Sequence, residues 1–304
     1  MVKTFKPPLF KKDSQTEWKD YLNKEGYVVI ENILTESEKT ASFNLFKKDW
    51  TTVSPGFDFN DYNTWSIKTA PMMFGKGMAV FNGFGQSDFM WNLRVNPEIQ
   101  RIYKTVYGTE DLGVSFDGFS VFISNQQKSK PWLHIDENPK NTLFSVQGSY
   151  NFMSVGEDDA GFYVVPKSHT SSSLTEVKHS RDWIICDDKK YQDDAVKLII
   201  PGNCFTLWNS RLIHSNVGMT KKKVGLNRLT AYITYLPKIT QTDDVIKNRI
   251  EAYKNSKTTS HWVNKCELKR YPYGFGKTYE GRGFNNIKAH LEDGEIPMER
   301  LLLI

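Results

Sequence analysis

The sequence predicts a mostly β fold with flanking helices, a barrel or sandwich rather than a wound βαβ sheet. Two observations carry this. Six runs with strand character, set apart by turn residues, fill residues 114–235, and the helical patterns gather on their N-terminal side. No strand–helix alternation accompanies them.

Taken in order, residues 1–13 are a Pro- and Lys-rich arm expected to be flexible. Ser14 with Glu17 has the capping-box pattern and predicts a helix from Gln15 to about Lys24, with Trp18, Tyr21 and Leu22 on one face. Gly26 stops it, and Tyr27–Ile30 is a short β-branched strand. Thr35 and Glu38 repeat the capping signal ahead of a second helix. Residues 49–92 are dense in aromatics, methionine and glycine without a clear period, which fits core padding or, preferably, a lid. Helical periodicity returns over 88–107. Strands are expected at Val114–Ile123, Leu143–Phe152, Gly161–Val165, Val196–Ile200, Cys204–Trp208 and Leu229–Tyr235. A further helix covers 241–255, and a Gly- and Tyr-rich tail is expected to pack over the barrel. The expected organisation is one domain over 1–304: arm 1–13, helical flank and lid 14–110, β core 111–237 and C-terminal extension 238–304.

Composition narrows the function. The 304 residues are 39% hydrophobic and 13% aromatic, enough for a real core. A net charge of +5, spread along the chain, is too mild to argue for nucleic acid. Three cysteines without a CxxC pair fit a reducing compartment and give no disulfide framework. The basic start is followed by no apolar run, and no window is apolar enough to span a membrane. The expectation is a soluble cytoplasmic protein; oligomeric state is not legible.

The chemistry sits in Pro131-Trp-Leu-His-Ile-Asp136. Along a strand side chains alternate, so His134 and Asp136 share a face and can present a nitrogen and a carboxylate oxygen to one metal. An HxD pair alone is a weak signal. A later strand, 201–214, leads to His214, and two histidines with one carboxylate form a facial triad suited to non-heme Fe(II). Zinc fits the same donors. His169, in the turn PKSHT, is the rival third ligand and reads better as a hydrogen-bonding loop residue. Fourteen residues after His214, Arg228 opens the next strand, and a fixed guanidinium there suits a carboxylate.

These segments resemble a known family. EGYVVIENILTESE (25–38), LHID, VQGSYNFM (146–153), GFYVVPKSH (161–169), PGNCFTLWNSRLIH and NRLTAYITY are similar, in order, to the phytanoyl-CoA dioxygenase-type Fe(II)/2-oxoglutarate oxygenases. The resemblance covers about residues 20–237 and implies a double-stranded β-helix (jelly-roll, cupin-like) core. It implies His134, Asp136 and His214 as iron ligands and Arg228 as the grip on the far carboxylate of 2-oxoglutarate. Gln147 is implied near the cofactor.

Three departures stand out. Asn203 replaces the usual Asp of a turn, Lys167 replaces a Gly in a PGSH-like motif, and the His-to-Arg spacing is long. The last leaves Lys221, Lys222 or Lys223 as rival carboxylate partners. The implied reaction consumes dioxygen and 2-oxoglutarate, releases succinate and CO2, and hydroxylates a small-molecule substrate. A nucleobase, a protein side chain or a purely binding role are the alternatives. Because Asp136 is present, where related halogenases carry Gly or Ala, hydroxylation is the expected outcome. The loop at 57–91 is expected to cover the substrate, with Arg211 and Lys167 as charged contacts near the mouth.

Overall fold

The computed structural model describes residues 2–66, 68–73, 77–123, 131–171, 182–221, 224–268 and 285–304. Its strands are β1 (Thr4–Phe5), β2 (Leu9–Lys11), β3 (Tyr27–Glu31), β4 (Met78–Ala79), β5 (Leu112–Val114), β6 (Phe119–Ile123), β7 (His134–Ile135), β8 (Val146–Asn151), β9 (Gly161–Val164), β10 (Ile184–Ile185), β11 (Val196–Leu198), β12 (Cys204–Asn209), β13 (His214–Val217), β14 (Leu226–Tyr232) and β15 (Tyr235–Pro237). The α-helices are α1 (Gln15–Glu25), α2 (Glu36–Val53), α3 (Asp88–Arg94), α4 (Pro97–Tyr107), α5 (Lys189–Asp194), α6 (Asp243–Lys254) and α7 (Met298–Leu301). The chain forms two compact units, Met1–Ile33 with Gln127–Lys222, and Leu34–Gln126 with Lys223–Ile304. Each draws on both the expected helical flank and the expected β core.

The first unit holds a sheet in the order β1-β11-β9-β13-β7-β10, while β2, β3, β12 and β8 are hydrogen-bonded in that order in another. From β7 to β13 the chain switches between them, with β7, β9, β10, β11 and β13 in one and β8 and β12 in the other. That alternation is the topology of a jelly roll. Its strands β3 and β8 are buried almost throughout, which is why Tyr27-Val-Val-Ile30 reads as a continuous rather than alternating pattern, whereas β8 buries the polar Gln147 and Ser149. Part of the arm corrects the expectation: β1 pairs in parallel with β11, and β2 with β3. Such pairing across nearly the whole unit leaves no local trace in the sequence. Helix α1 forms as expected and Gly26 ends it in the left-handed conformation at φ 82°. Ser14, however, makes no side-chain cap, whereas Thr35 and Glu38 close a full capping box on α2.

In the second unit β14, β6 and β4 pair in that order, and β5 pairs with β15. The expected strand Val114–Ile123 is broken into β5 and β6, because Asp117 turns its carboxylate onto the Gly118 amide at 2.7 Å. The expected strand Leu229–Tyr235 begins three residues earlier and ends at Tyr232. The ring-dense segment 49–92 proves to be core in large part. Phe57, Trp65, Phe84 and Phe89 are buried, with edge-to-face contacts such as Trp50–Phe57 at 5.6 Å and Phe84–Phe119 at 5.0 Å. The preference for a lid is therefore corrected for these rings: a dense aromatic run without period was core packing. Most of the Gly- and Tyr-rich tail lies outside the described residues. Among the described residues no helix is long and apolar enough to cross a membrane.

Candidate metal centre

In the first unit, β13 and β7 pair antiparallel with His214 directly opposite His134. A cross-strand pair places both side chains on one face, and the two imidazole centroids are 4.5 Å apart. Asp136, two residues beyond His134, shares that face, and its amide donates to the Ser210 carbonyl at 2.9 Å. Ser210 is itself tied to Ser145 by a hydroxyl contact of 2.8 Å and an amide bond of 3.0 Å. The sequence's period of two and the turn before β13 thus bring the three groups together. His214 opens β13 rather than ending a strand, because the apolar Leu212-Ile213 belongs to the turn.

The donor atoms converge. Asp136 Oδ1 lies 3.6 Å from His134 Nε2, and Oδ2 lies 3.2 Å from His214 Nε2. All three ligand atoms fall within 4.8 Å of one another, and all three residues are buried. Each imidazole uses Nδ1–H on a backbone carbonyl, His134 on Trp132 at 2.9 Å and His214 on Leu212 at 2.8 Å. That fixes the tautomer with the Nε2 lone pair toward the centre. Burial pushes the His134 pKa below its ordinary value, against the pull of Asp136, so the ring is held neutral. Two imidazole nitrogens and a carboxylate converging on one point are the donor set a divalent cation satisfies.

Gln147, on β8, donates its amide to Asp136 Oδ2 at 3.0 Å. It therefore orients a ligand. Next along, Glu137 is buried and faces Arg211, whose Nε stands 3.5 Å from Oε2; Arg211 also donates to the Asn141 carbonyl. This pair clamps the loop after Asp136 to the turn before His214, and nothing in the residue pattern had marked Glu137. Trp132 stacks on His134 at 4.2 Å with 19° between planes, and Phe162 and Trp208 flank His214 at 5.7 and 5.6 Å.

The remaining candidates sort as follows. His169 donates from Nε2 to the Asn23 carbonyl, 3.0 Å away, and stands outside the ligand cluster, as expected of a loop residue. Lys221 is exposed and paired with Asp158 at 2.8 Å, so it faces water; Lys222 and Lys223 lie outside the described residues. Lys167 has φ 65°, a conformation that favours Gly, and its ammonium is 3.6 Å from Glu25. Asn203 likewise sits at φ 60°, a conformation Asn tolerates, and accepts from Tyr150 Oη at 2.9 Å. Arg228 belongs to the second unit, on β14 just past a register shift. It is buried rather than solvated, donates from Nε to Thr230 Oγ1 at 3.1 Å, and has its pKa lowered by burial.

No protein-family profile matches the chain. It is 24% identical over 279 residues to Ava biosynthesis cluster protein O of Aspergillus versicolor, spanning 83% of this chain and 89% of that protein. Among solved structures it resembles the epimerase SnoN in complex with Fe3+, alpha ketoglutarate and nogalamycin RO, with a TM-score of 0.51 and 14% identity over 74% of this chain and 84% of that one. It also resembles EvdMO1, with a TM-score of 0.50 and 13% identity over 73% of this chain and 49% of that one. The fold is accordingly the double-stranded β-helix, and the buried His134, Asp136 and His214 form a metal-binding triad upon it.

Proposed function

We propose that the chain is a non-heme Fe(II)- and 2-oxoglutarate-dependent dioxygenase that hydroxylates a small molecule and releases succinate and CO2. The observation that carries this is the convergence of His134, Asp136 and His214 on a double-stranded β-helix. The likeness to a structure holding Fe3+ and alpha ketoglutarate supports the choice of iron over zinc, and the relative's place in a biosynthesis cluster supports a small-molecule substrate.

Bound iron, held by His134, Asp136 and His214, would supply the dioxygen chemistry. The chain's own residues do the rest. His134 and His214 each offer a lone pair with its tautomer set from behind, and Asp136 contributes charge under the hold of Gln147. Arg228 is proposed to grip the far carboxylate of 2-oxoglutarate, a bidentate task for which a guanidinium is shaped. The presence of Asp136, in the reading carried by the resemblance to phytanoyl-CoA dioxygenase-type enzymes, favours hydroxylation over halogenation.

The experiment is a metabolite screen with Fe(II) and 2-oxoglutarate, scored by succinate release and by product mass. Hydroxylation adds one oxygen atom, whereas epimerisation leaves the mass unchanged. Succinate without any oxygenated product would overturn the hydroxylase reading. Arg228→Ala is expected to weaken 2-oxoglutarate binding by about tenfold to a hundredfold, far more than Lys222→Ala; the reverse ranking would reassign the carboxylate partner.

A further inference from the structure

We infer that the substrate carries a flat, apolar ring system that lies against Trp183 and Ile185, on the same face of the β7–β10 strand pair as the metal ligands. The inference rests on the proposed function and deepens it by naming a substrate class.

The argument is one of register. Strands β10 and β7 pair antiparallel with Ile184 opposite Ile135 and Ile185 opposite His134. Side chains alternate along each strand, so opposite residues share a face. One face is core: Leu133, Ile135, Ile184 and Cys186 are buried in a single apolar cluster. The other face carries Trp132, His134 and Asp136 from the β7 segment, and with them Trp183 and Ile185 from the β10 segment. Those last two are 43% and 57% exposed, while their neighbours Ile184 and Cys186 are buried. The ring of Trp183 is 5.9 Å from the His134 imidazole and 6.2 Å from Trp132. A run of π-faces therefore leads from the metal ligand to open surface.

Two features select the occupant. Among the described residues β10 ends its sheet order, and an edge strand with large exposed apolar side chains is an aggregation liability unless something covers it. Meanwhile the charged groups beside the ledge face polar partners of their own. Asp182 accepts from Asn141 Nδ2 at 2.8 Å, and Glu137 faces Arg211 at 3.5 Å. A ligand resting here meets indole and isoleucine rather than charge. An indole face favours a planar ring, which stacks over its whole area, above a flexible chain that must be ordered to do so.

The test uses the metal-free full-length protein and the probe 9-anthracenemethanol, titrated by fluorescence anisotropy with 1-decanol as competitor. Trp183→Ala is expected to weaken the probe about tenfold or more, Trp183→Phe to restore most of the affinity, and decanol to compete poorly. The inference is overturned if Trp183→Ala binds the probe like wild type, if decanol displaces it as well as a ring compound does, or if Trp183→Phe fails to restore binding. It is also overturned if wild type sediments as a dimer that Trp183→Ala dissociates, since a second copy would then cover the ledge. A parallel Co(II) titration separates this from the underlying reading. Co(II) binding with probe failure removes only the substrate class, whereas failure to bind Co(II) removes the metal site itself.

Discussion

Both units of this chain bury polar groups among aromatic rings, and they do so with opposite bookkeeping. In the second unit the buried cations donate to backbone carbonyls through some of their nitrogens, while Arg94 Nε and Arg249 Nη1 make no hydrogen bond among the described residues. Arg94 donates to the Gly85 and Asp117 carbonyls, at 2.5 and 2.7 Å, and Arg249 to the carbonyls of Ile304 and Val114, with Phe116 beneath its guanidinium at 4.3 Å. In the first unit the buried groups at the triad converge on one point, the His134 and His214 nitrogens against the Asp136 carboxylate. The lesson is that burial of a polar residue does not distinguish structure from function; the chemistry of what it faces does. Guanidinium donors set on backbone carbonyls hold the fold together, and imidazole nitrogens converging on a carboxylate suit a cation.

That contrast can be broken by substitution. The largest effect is expected at the triad: His214→Ala should lower divalent-metal affinity on the order of a thousandfold, beyond the loss of a ligand's outer partner. Its apo-protein thermal midpoint should change little, because the hydrogen bond lost is the single one from Nδ1 to the Leu212 carbonyl. A matching collapse of apo stability would make the triad structural. The mirror experiment is Arg249→Met, expected to cost about 2–5 kcal/mol of unfolding free energy in urea, since two buried carbonyls lose their donor. Metal affinity of the folded fraction should not move; if it drops with stability, the contrast fails. Gln147→Leu sharpens the first unit's side. Losing the amide on Asp136 should weaken metal binding about tenfold to a hundredfold by calorimetry, with little change in stability.

The smallest effect concerns Asp49, buried in the second unit with its carboxylate accepting from the Phe89 amide at 2.8 Å. Burial raises its pKa from 3.8 to about 6. A raised pKa means the folded state prefers the protonated form, so the group's stabilising contribution is present below about pH 4 and is lost as pH rises through 6. Asp49→Asn should therefore match wild type near pH 4 and exceed it by about 1–2 kcal/mol at pH 7.5, after allowance for solvent screening. Equal pH profiles for the two proteins would show that water reaches this carboxyl.

Much of the triad was legible because its geometry is local or ordered. A period of two puts His134 and Asp136 together without knowledge of the fold, and His214 follows from the succession of strands. Gln147 was legible only as a neighbour, its partner being set by how β8 lies. The Glu137–Arg211 clamp and the Trp132–Trp183 ledge were not legible, since they depend on pairings between segments about fifty to seventy residues apart. The same holds for β1 on β11 and for the two units, whose segments interleave along the chain with no change of composition at their boundaries. The ring-rich segment 49–92 misled because aromatic core without a period looks like a loop until its contacts are known.

The most direct test of the central claim is an anaerobic titration of the purified protein with Fe(II) and 2-oxoglutarate, followed by the visible charge-transfer band of the iron–cosubstrate complex. The account predicts one equivalent of iron, a band that saturates with 2-oxoglutarate, and its loss in both His134→Ala and His214→Ala. Iron uptake that is the same in wild type and in these variants, or no band at all, would contradict it.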